Sequence, residues 1–204
     1  MGGLLKRAAP WFLMAISMIF TASGILLATG EVREFADTAD IQDTEERIEI
    51  SAPERMAFAP LKKGENAPEF DIPALGKGRI KLKDLRGKVV LLDFWSVGCP
   101  PCLEATIHMQ KLYDKYGSKG FTVIGANLDP YPQMAKNFKK RARLTYPIGF
   151  ATNKMIQDYG GLRTIPQSFM VDKDGKLFRH YDGWGKPYAI QMEKDIKHLL
   201  GIKE

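Results

Sequence analysis

Cys99 and Cys102 are the only cysteines among the 204 residues of the chain. Three positions apart, they fall within one turn of a helix, close enough to make and break a bond with each other. A structural disulfide framework uses several well-separated cysteines, and a bridge over so short a loop removes little freedom from the unfolded chain. The pair is therefore read as chemical rather than structural. Its chemistry is thiol–disulfide exchange: one thiolate attacks a partner disulfide, and the second thiol resolves the mixed disulfide by closing the internal bridge. Cys99 precedes the predicted helix and is the expected nucleophile; Cys102, one turn inside, is the expected resolving thiol. A helix start favours a thiolate through its unpaired N–H groups and the positive end of its dipole. Pro100 and Pro101 suit the first helical turn but remove two potential donors to Cys99, so the Cys102 amide is the expected donor. Zinc normally takes four ligands. His108, His180 and His198 form no close ligand motif with the pair, so neither metal nor cofactor is expected; a copper site recruiting methionine is the alternative.

The elements that position the pair can be read from periodicity. Residues 88–96 carry Val89, Val90, Leu91, Leu92, Phe94 and Trp95, the near-continuous apolar run of a strand buried on both faces. Residues 100–116 read as a helix with Leu103, Thr106, Ile107, Gln110 and Tyr113 or Asp114 at helical spacing and Leu112 and Tyr116 adding apolar weight, ended by Gly117 and Gly120. The cysteines thus sit where a buried strand passes into a helix. Residues 121–126 predict a second buried strand, 131–142 a basic helix, 146–150 a short extended piece and 153–159 a short helix. Residues 167–171 and 177–181 predict a hairpin around Asp172-Lys173-Asp174-Gly175. Residues 188–200 close the chain as a helix with Ala189, Met192, Ile196 and Leu199 or Leu200 on one face. Upstream, residues 70–73 and 80–82 flank Gly76-Lys77-Gly78 as another hairpin. This order predicts an α/β fold: a mixed sheet flanked by helices, with an N-terminal hairpin and a central helical insertion.

Apolar residues at 45% and charged residues at 26% suit a globular chain and exclude collagenous, low-complexity and wholly disordered classes. Residues 8–30 form an uncharged run of 23 residues behind Lys6 and Arg7. As a helix it extends roughly 34 Å, enough for a bilayer core of about 30 Å. Positive charge stays on the cytoplasmic side, so the bulk of the chain is expected across the membrane. A cleaved signal ending at Ala28-Thr29-Gly30 is the alternative, but the run is long for a signal core. Residues 1–30 are thus read as a membrane anchor or signal sequence. Residues 31–60 hold nine acids against three bases and are read as an acidic spacer. Residues 61–204 are read as the folded domain. The expected location is the cell membrane, single-pass, with the redox domain on the extracytoplasmic side. The overall charge of +6 comes with no nucleic-acid motif, so no nucleic-acid partner is expected. The basic run Lys136-Asn137-Phe138-Lys139-Lys140-Arg141-Ala142-Arg143 is read as a solvated helix face in preference to a docking site for an acidic partner.

The strand–Trp95-x-x-x-Cys99-x-x-Cys102–helix pattern resembles the thioredoxin superfamily. The N-terminal anchor, Gly64-Glu65-Asn66-Ala67-Pro68-Glu69-Phe70 and Pro166-Gln167-Ser168-Phe169 are similar to its exported TlpA/ResA-type branch, over residues 61–204. The resemblance implies a thioredoxin-like fold and roles for four further residues. Pro166 matches the family's cis-proline, which turns the chain so that Ile165 offers backbone hydrogen bonds to an extended substrate. Asp93 matches a buried acid whose pKa burial raises and which relays a proton to or from Cys102 through water, with a structurally satisfied acid at a strand edge as its alternative. Trp95 is read as shielding the disulfide and contacting substrate, with plain packing as its alternative. Gly125 is the counterpart of a lysine that approaches the acid in many thioredoxins. Gly98 stands where the family usually has tryptophan, Ala105 where the branch often has an active-site glutamate, and Ile107 where a proline often kinks the helix; Glu104 is given no catalytic role. The implied function is a membrane-tethered thiol–disulfide oxidoreductase that reduces disulfides of exported proteins such as apocytochrome c and is recharged by a membrane thiol reductant. The alternatives are a thiol oxidase-type disulfide donor, a copper-binding module and a thiol peroxidase. The leading segment also resembles peroxiredoxins, but Cys99 lacks their preceding Pro-x-x-x-Thr-x-x pattern.

Overall fold

Strand β3 (Val89–Trp95) is buried along its whole length, and its alternation distributes the hydrophobic core. Val89, Leu91 and Trp95 point to one side of the sheet, into a core completed by α1 (Pro100–Tyr116), α2 (Pro132–Arg141) and α4 (Lys186–Leu200). Val90, Leu92 and Phe94 point to the other side, into a core shared with the hairpin of β1 (Asp71–Pro73) and β2 (Arg79–Lys81) and with α3 (Asn153–Asp158). The computed structural model describes residues 61–203. The expected membrane anchor or signal sequence (1–30) and acidic spacer (31–60) lie outside the described residues.

The main sheet has five strands in the order β5-β4-β3-β6-β7, with β4 (Phe121–Asn127), β5 (Ile148–Phe150), β6 (Gln167–Val171) and β7 (Leu177–Asp182) around the central β3. β4 runs parallel to β3 and β5 parallel to β4, whereas β6 and β7 are antiparallel to their neighbours. This is the predicted mixed sheet flanked by helices. The expected N-terminal hairpin is β1–β2, and the central insertion is α2, β5 and α3. The hairpin continues onto the sheet: Ala74 bridges Gly149, and the Leu75 N–H donates to the Ile148 carbonyl at 2.7 Å. Gly149 permits this approach, because a Cβ there would stand 2.8 Å from both Ile72 Cδ1 and the Pro73 carbonyl oxygen.

Helix α1 starts at the expected residue and buries part of the expected face. Its buried residues are Cys102, Ala105, Thr106, Met109, Leu112 and Tyr116, while Ile107 is exposed. Of the expected face, Thr106, Leu112 and Tyr116 are buried, whereas Leu103, Ile107 and Gln110 give way to Cys102, Ala105 and Met109. Cys102 and Ala105 are small enough to sit against the sheet, and Met109, Leu112 and Tyr116 continue their row at spacings of three and four. In α4, Met192 and Ile196 are buried as predicted, and Asp195 is buried beside them.

Candidate active site

The chain leaves the carboxyl end of the central strand β3 at Trp95 and enters α1 at Pro100. The carboxyl ends of parallel strands are where open α/β sheets gather their ligands. Cys99 is the N-cap of α1, in extended conformation, with Pro100 and Pro101 in the first turn. The structure holds the Cys99–Cys102 disulfide, with Cα atoms 5.2 Å apart. The Cys102 N–H donates to Cys99 Sγ at 3.3 Å, the donor that the two prolines leave available. Cys99 is partly exposed, whereas Cys102 has 0% exposure.

Two further segments frame Cys99. The Ile165–Pro166 peptide bond is cis, and the Ile165 carbonyl oxygen lies 3.6 Å from Cys99 Sγ. On the other flank, Asp129 clamps the loop leading to the cysteine. Its carboxylate accepts from Ser96 Oγ at 2.6 Å, from the Val97 N–H at 2.9 Å and from Asn127 Nδ2 at 2.8 Å. Ser96 Oγ in turn accepts from the Gly98 N–H at 3.2 Å. Sequence reasoning missed Asn127 and Asp129. Their signal was two polar residues directly after an apolar strand run, at the strand end that neighbours the cysteines.

Asp93 is fully buried. Its Oδ1 accepts from Ser168 Oγ at 2.7 Å, and its Oδ2 has no partner. Burial pushes the carboxyl pKa up to about 7, against the opposing effect of the Ser168 hydroxyl. Gly125 is its register partner on β4, the position expected for the counterpart of a lysine. A Cβ on Gly125 would stand 2.9 Å from Trp95 Nε1 and 3.2 Å from Tyr146 Cε2, so the two rings occupy the space a longer side chain would need. Burial, reinforced by ionised Asp93, drives the Tyr146 hydroxyl pKa well up. Ser168 and Tyr146 were not singled out from sequence, because neither type signals chemistry outside this packing.

Trp95 corrects an expectation. It has 0% exposure, and its ring lies 5.5 Å from that of Phe138 on α2. Two positions from Asp93 on the same strand, it points into the helix-side core that also holds Cys102, so it takes the packing alternative. Glu104 is exposed on α1 and Ala105 is buried. The three histidines occupy separate aromatic contacts: His108 with Trp184, His180 with Phe169 and His198 with Phe178. Among the described residues no group of three or more His, Cys, Asp or Glu side chains is placed to hold a metal ion.

This arrangement supports reversible disulfide exchange: one sulfur is reachable, its partner is sheltered one turn away, and a protonatable carboxyl is buried in the strand that delivers them. Comparison with known proteins agrees. The model of the AhpC/TSA family matches residues 63–180. The thiol-disulfide oxidoreductase ResA of Bacillus thuringiensis subsp. konkukian is 37% identical over 136 residues, covering 67% of this chain and 78% of its own length. The ResA of Bacillus subtilis is 28% identical over 123 residues, covering 60% and 69% respectively. The crystal structure of a thiol:disulfide interchange protein DsbE from Chlorobium tepidum superposes with a TM-score of 0.65 at 33% identity, covering 69% of this chain and 99% of that one. With its cysteine pair at bonding distance on a thioredoxin-like sheet, the chain belongs to the AhpC/TSA family and is a thiol–disulfide oxidoreductase of the ResA/DsbE type.

Proposed function

We propose that this oxidoreductase is tethered to the cell membrane and reduces disulfides of exported proteins, apocytochrome c among them, with a membrane thiol reductant restoring its dithiol. The observation that carries the chemical reading is the asymmetry of the sulfurs: Cys99 is partly open beside the Ile165 carbonyl, and Cys102 is enclosed. The uncharged run 8–30 behind Lys6 and Arg7 supports the tether, and the similarity to ResA-type proteins supports the class of client.

In the reducing direction the Cys99 thiolate, stabilised by the Cys102 N–H and the start of α1, attacks a client disulfide. One client sulfur leaves as a thiolate, and the other is held in a mixed disulfide with Cys99. The client backbone lies along Ile165 and cis-Pro166. Cys102 then gives up its proton to Asp93 and attacks Cys99 Sγ; the internal bridge closes and the client's second sulfur departs. Recharging reverses the proton transfer: the reductant opens the bridge, and Asp93 protonates Cys102. A carboxyl with a pKa near 7 can both accept and donate at neutral pH.

The full chain carrying Cys102→Ser is expected to accumulate mixed disulfides through Cys99. Capture through Cys102 in a Cys99→Ser chain would reverse the assignment. The potential of the Cys99/Cys102 couple is expected nearer the reducing value of about −270 mV than the oxidising value of about −120 mV; the oxidising value would make the chain a disulfide donor. A topology reporter placed after Gly30 is expected to read out across the membrane, and a cytoplasmic readout would remove the envelope role.

A further inference from the structure

The two carboxylate oxygens of Asp93 have different surroundings. Oδ1 accepts from Ser168 Oγ at 2.7 Å across the β3–β6 pairing, in which Asp93 and Ser168 are direct register partners. Both residues are buried. Oδ2 has no partner. Ser168 is itself held firmly: it lies two residues past the cis Ile165–Pro166 bond, in a strand paired with β3 on one side and β7 on the other. A hydroxyl held this way fixes the rotation of the carboxylate, because turning the group would break a buried hydrogen bond to a charged acceptor.

We propose that Ser168 is a positioning residue for the proton transfer: its hydroxyl locks Oδ1 of Asp93, leaves Oδ2 as the atom that exchanges the proton of Cys102, and ties that acid to the cis-Pro166 segment along which the client lies. The inference rests on the reading of Asp93 as the acid and base of the reaction. In the resolving step the Cys102 S–H proton passes to Asp93 Oδ2, the Cys102–Cys99 sulfur bond forms, the Cys99–client bond breaks and the client leaves as a thiolate. Ser168 keeps its own proton throughout. Its hydrogen bond is stronger to the carboxylate than to the neutral acid, so it sustains the ionised form that acts as the base.

The other groups on this side of the sheet leave that task to Ser168. β4 presents Gly125, with no side chain. The segment before β5 presents Tyr146, whose hydroxyl stays neutral. α1 brings Cys102 and Thr106 into the same buried layer, while His108 packs on Trp184. α2 brings Ala135 and Phe138. The buried carboxylate of α4, Asp195, is engaged by Arg179, Tyr181 and Gln191. The influence that opposes burial at Asp93 therefore comes from a neutral hydroxyl rather than a cation.

The test compares Ser168→Thr with Ser168→Val in the full chain, two nearly isosteric variants that differ by one hydroxyl. Reduced protein reacts with an aryl disulfide such as Ellman's reagent in two releases of coloured thiolate: the first reports Cys99, and the second reports resolution by Cys102. The pH midpoint of the second release is expected to move up by about one unit or more in the Val variant and to stay near the parent value in the Thr variant. The first release should be unchanged in both. If Val does not fold, Ser168→Ala takes its place against Thr. Superimposed profiles with and without the hydroxyl would overturn the proposal. Asp93→Asn separates the two levels: loss of its midpoint together with superimposed Ser168 profiles sinks only the role of Ser168, and an unchanged midpoint in Asp93→Asn sinks the reading of Asp93 itself.

Discussion

At the scale of single residues, Asp93 connects catalysis to stability. Its carboxyl titrates near 7 in the folded protein against an ordinary value of 3.8, so between those values the folded state holds a proton that the unfolded state has lost. The stabilising contribution is therefore fully present below about pH 4, falls as pH rises towards 7, and stays lost above it. Asp93→Asn is expected to flatten that dependence, removing a loss of about 4 kcal/mol between pH 4 and pH 7.5. Denaturant unfolding of the oxidised protein at the two pH values checks this; an equal fall in the Asn variant would show that another group carries it. Asp93 was legible through the resemblance to thioredoxins, which implies a buried acid six residues before the first cysteine, and the all-buried β3 seals it there. For Trp95 the sequence left shielding and packing open, and the face it takes on β3 turns it into the core.

Among the elements, the site depends on close approaches. The Asp129 carboxylate ties the end of β4 to the loop leaving β3, so the approach to Cys99 is set by a neighbouring strand as well as by its own helix. At the outer edge, the β1–β2 hairpin sits on β5 through Gly149. Gly149→Ala is expected to cost about 1–3 kcal/mol, because the Pro73 backbone would have to move. Thermal unfolding tests this, and an unchanged midpoint would mean the hairpin shifts freely. The inward face of α1 was legible at Thr106, Leu112 and Tyr116 but not at its start, because Cys102 and Ala105 carry little apolar signal, although small residues are what a close helix–sheet contact selects. The element boundaries were otherwise legible, since long apolar strand runs and terminal glycines and prolines are local signals.

Over the whole domain, two cores on opposite faces of one sheet hold the active end in place, and α4 is secured by a polar anchor. Asp195 accepts from Tyr181 Oη at 2.6 Å and Gln191 Nε2 at 2.8 Å and pairs with Arg179 at 2.5 Å. Removing the carboxylate in Asp195→Ala leaves a buried tyrosine hydroxyl without its acceptor. The expected loss is about 2 kcal/mol, near the lower end for such deletions because Arg179 keeps contact with water. Reactivity of Cys99 towards the aryl disulfide should stay at the parent rate, since α4 makes no bond to the sulfurs. A matching fall in reactivity would show that the anchor also shapes the site.

The sequence by itself determined the chemistry and the order of the elements: two thiols one turn apart, the strand that precedes them and the helix that contains one of them, whereas the role of Pro166 came from the resemblance to thioredoxins. Local spacing and apolar periodicity suffice for these, because they depend on neighbours along the chain. Tertiary structure alone decided that Ser168 meets Asp93, that Asp129 grips the loop before Cys99, and that Trp95 packs on Phe138. Each of these joins residues from different elements, and folding brings together atoms whose separation along the chain carries no trace of the contact.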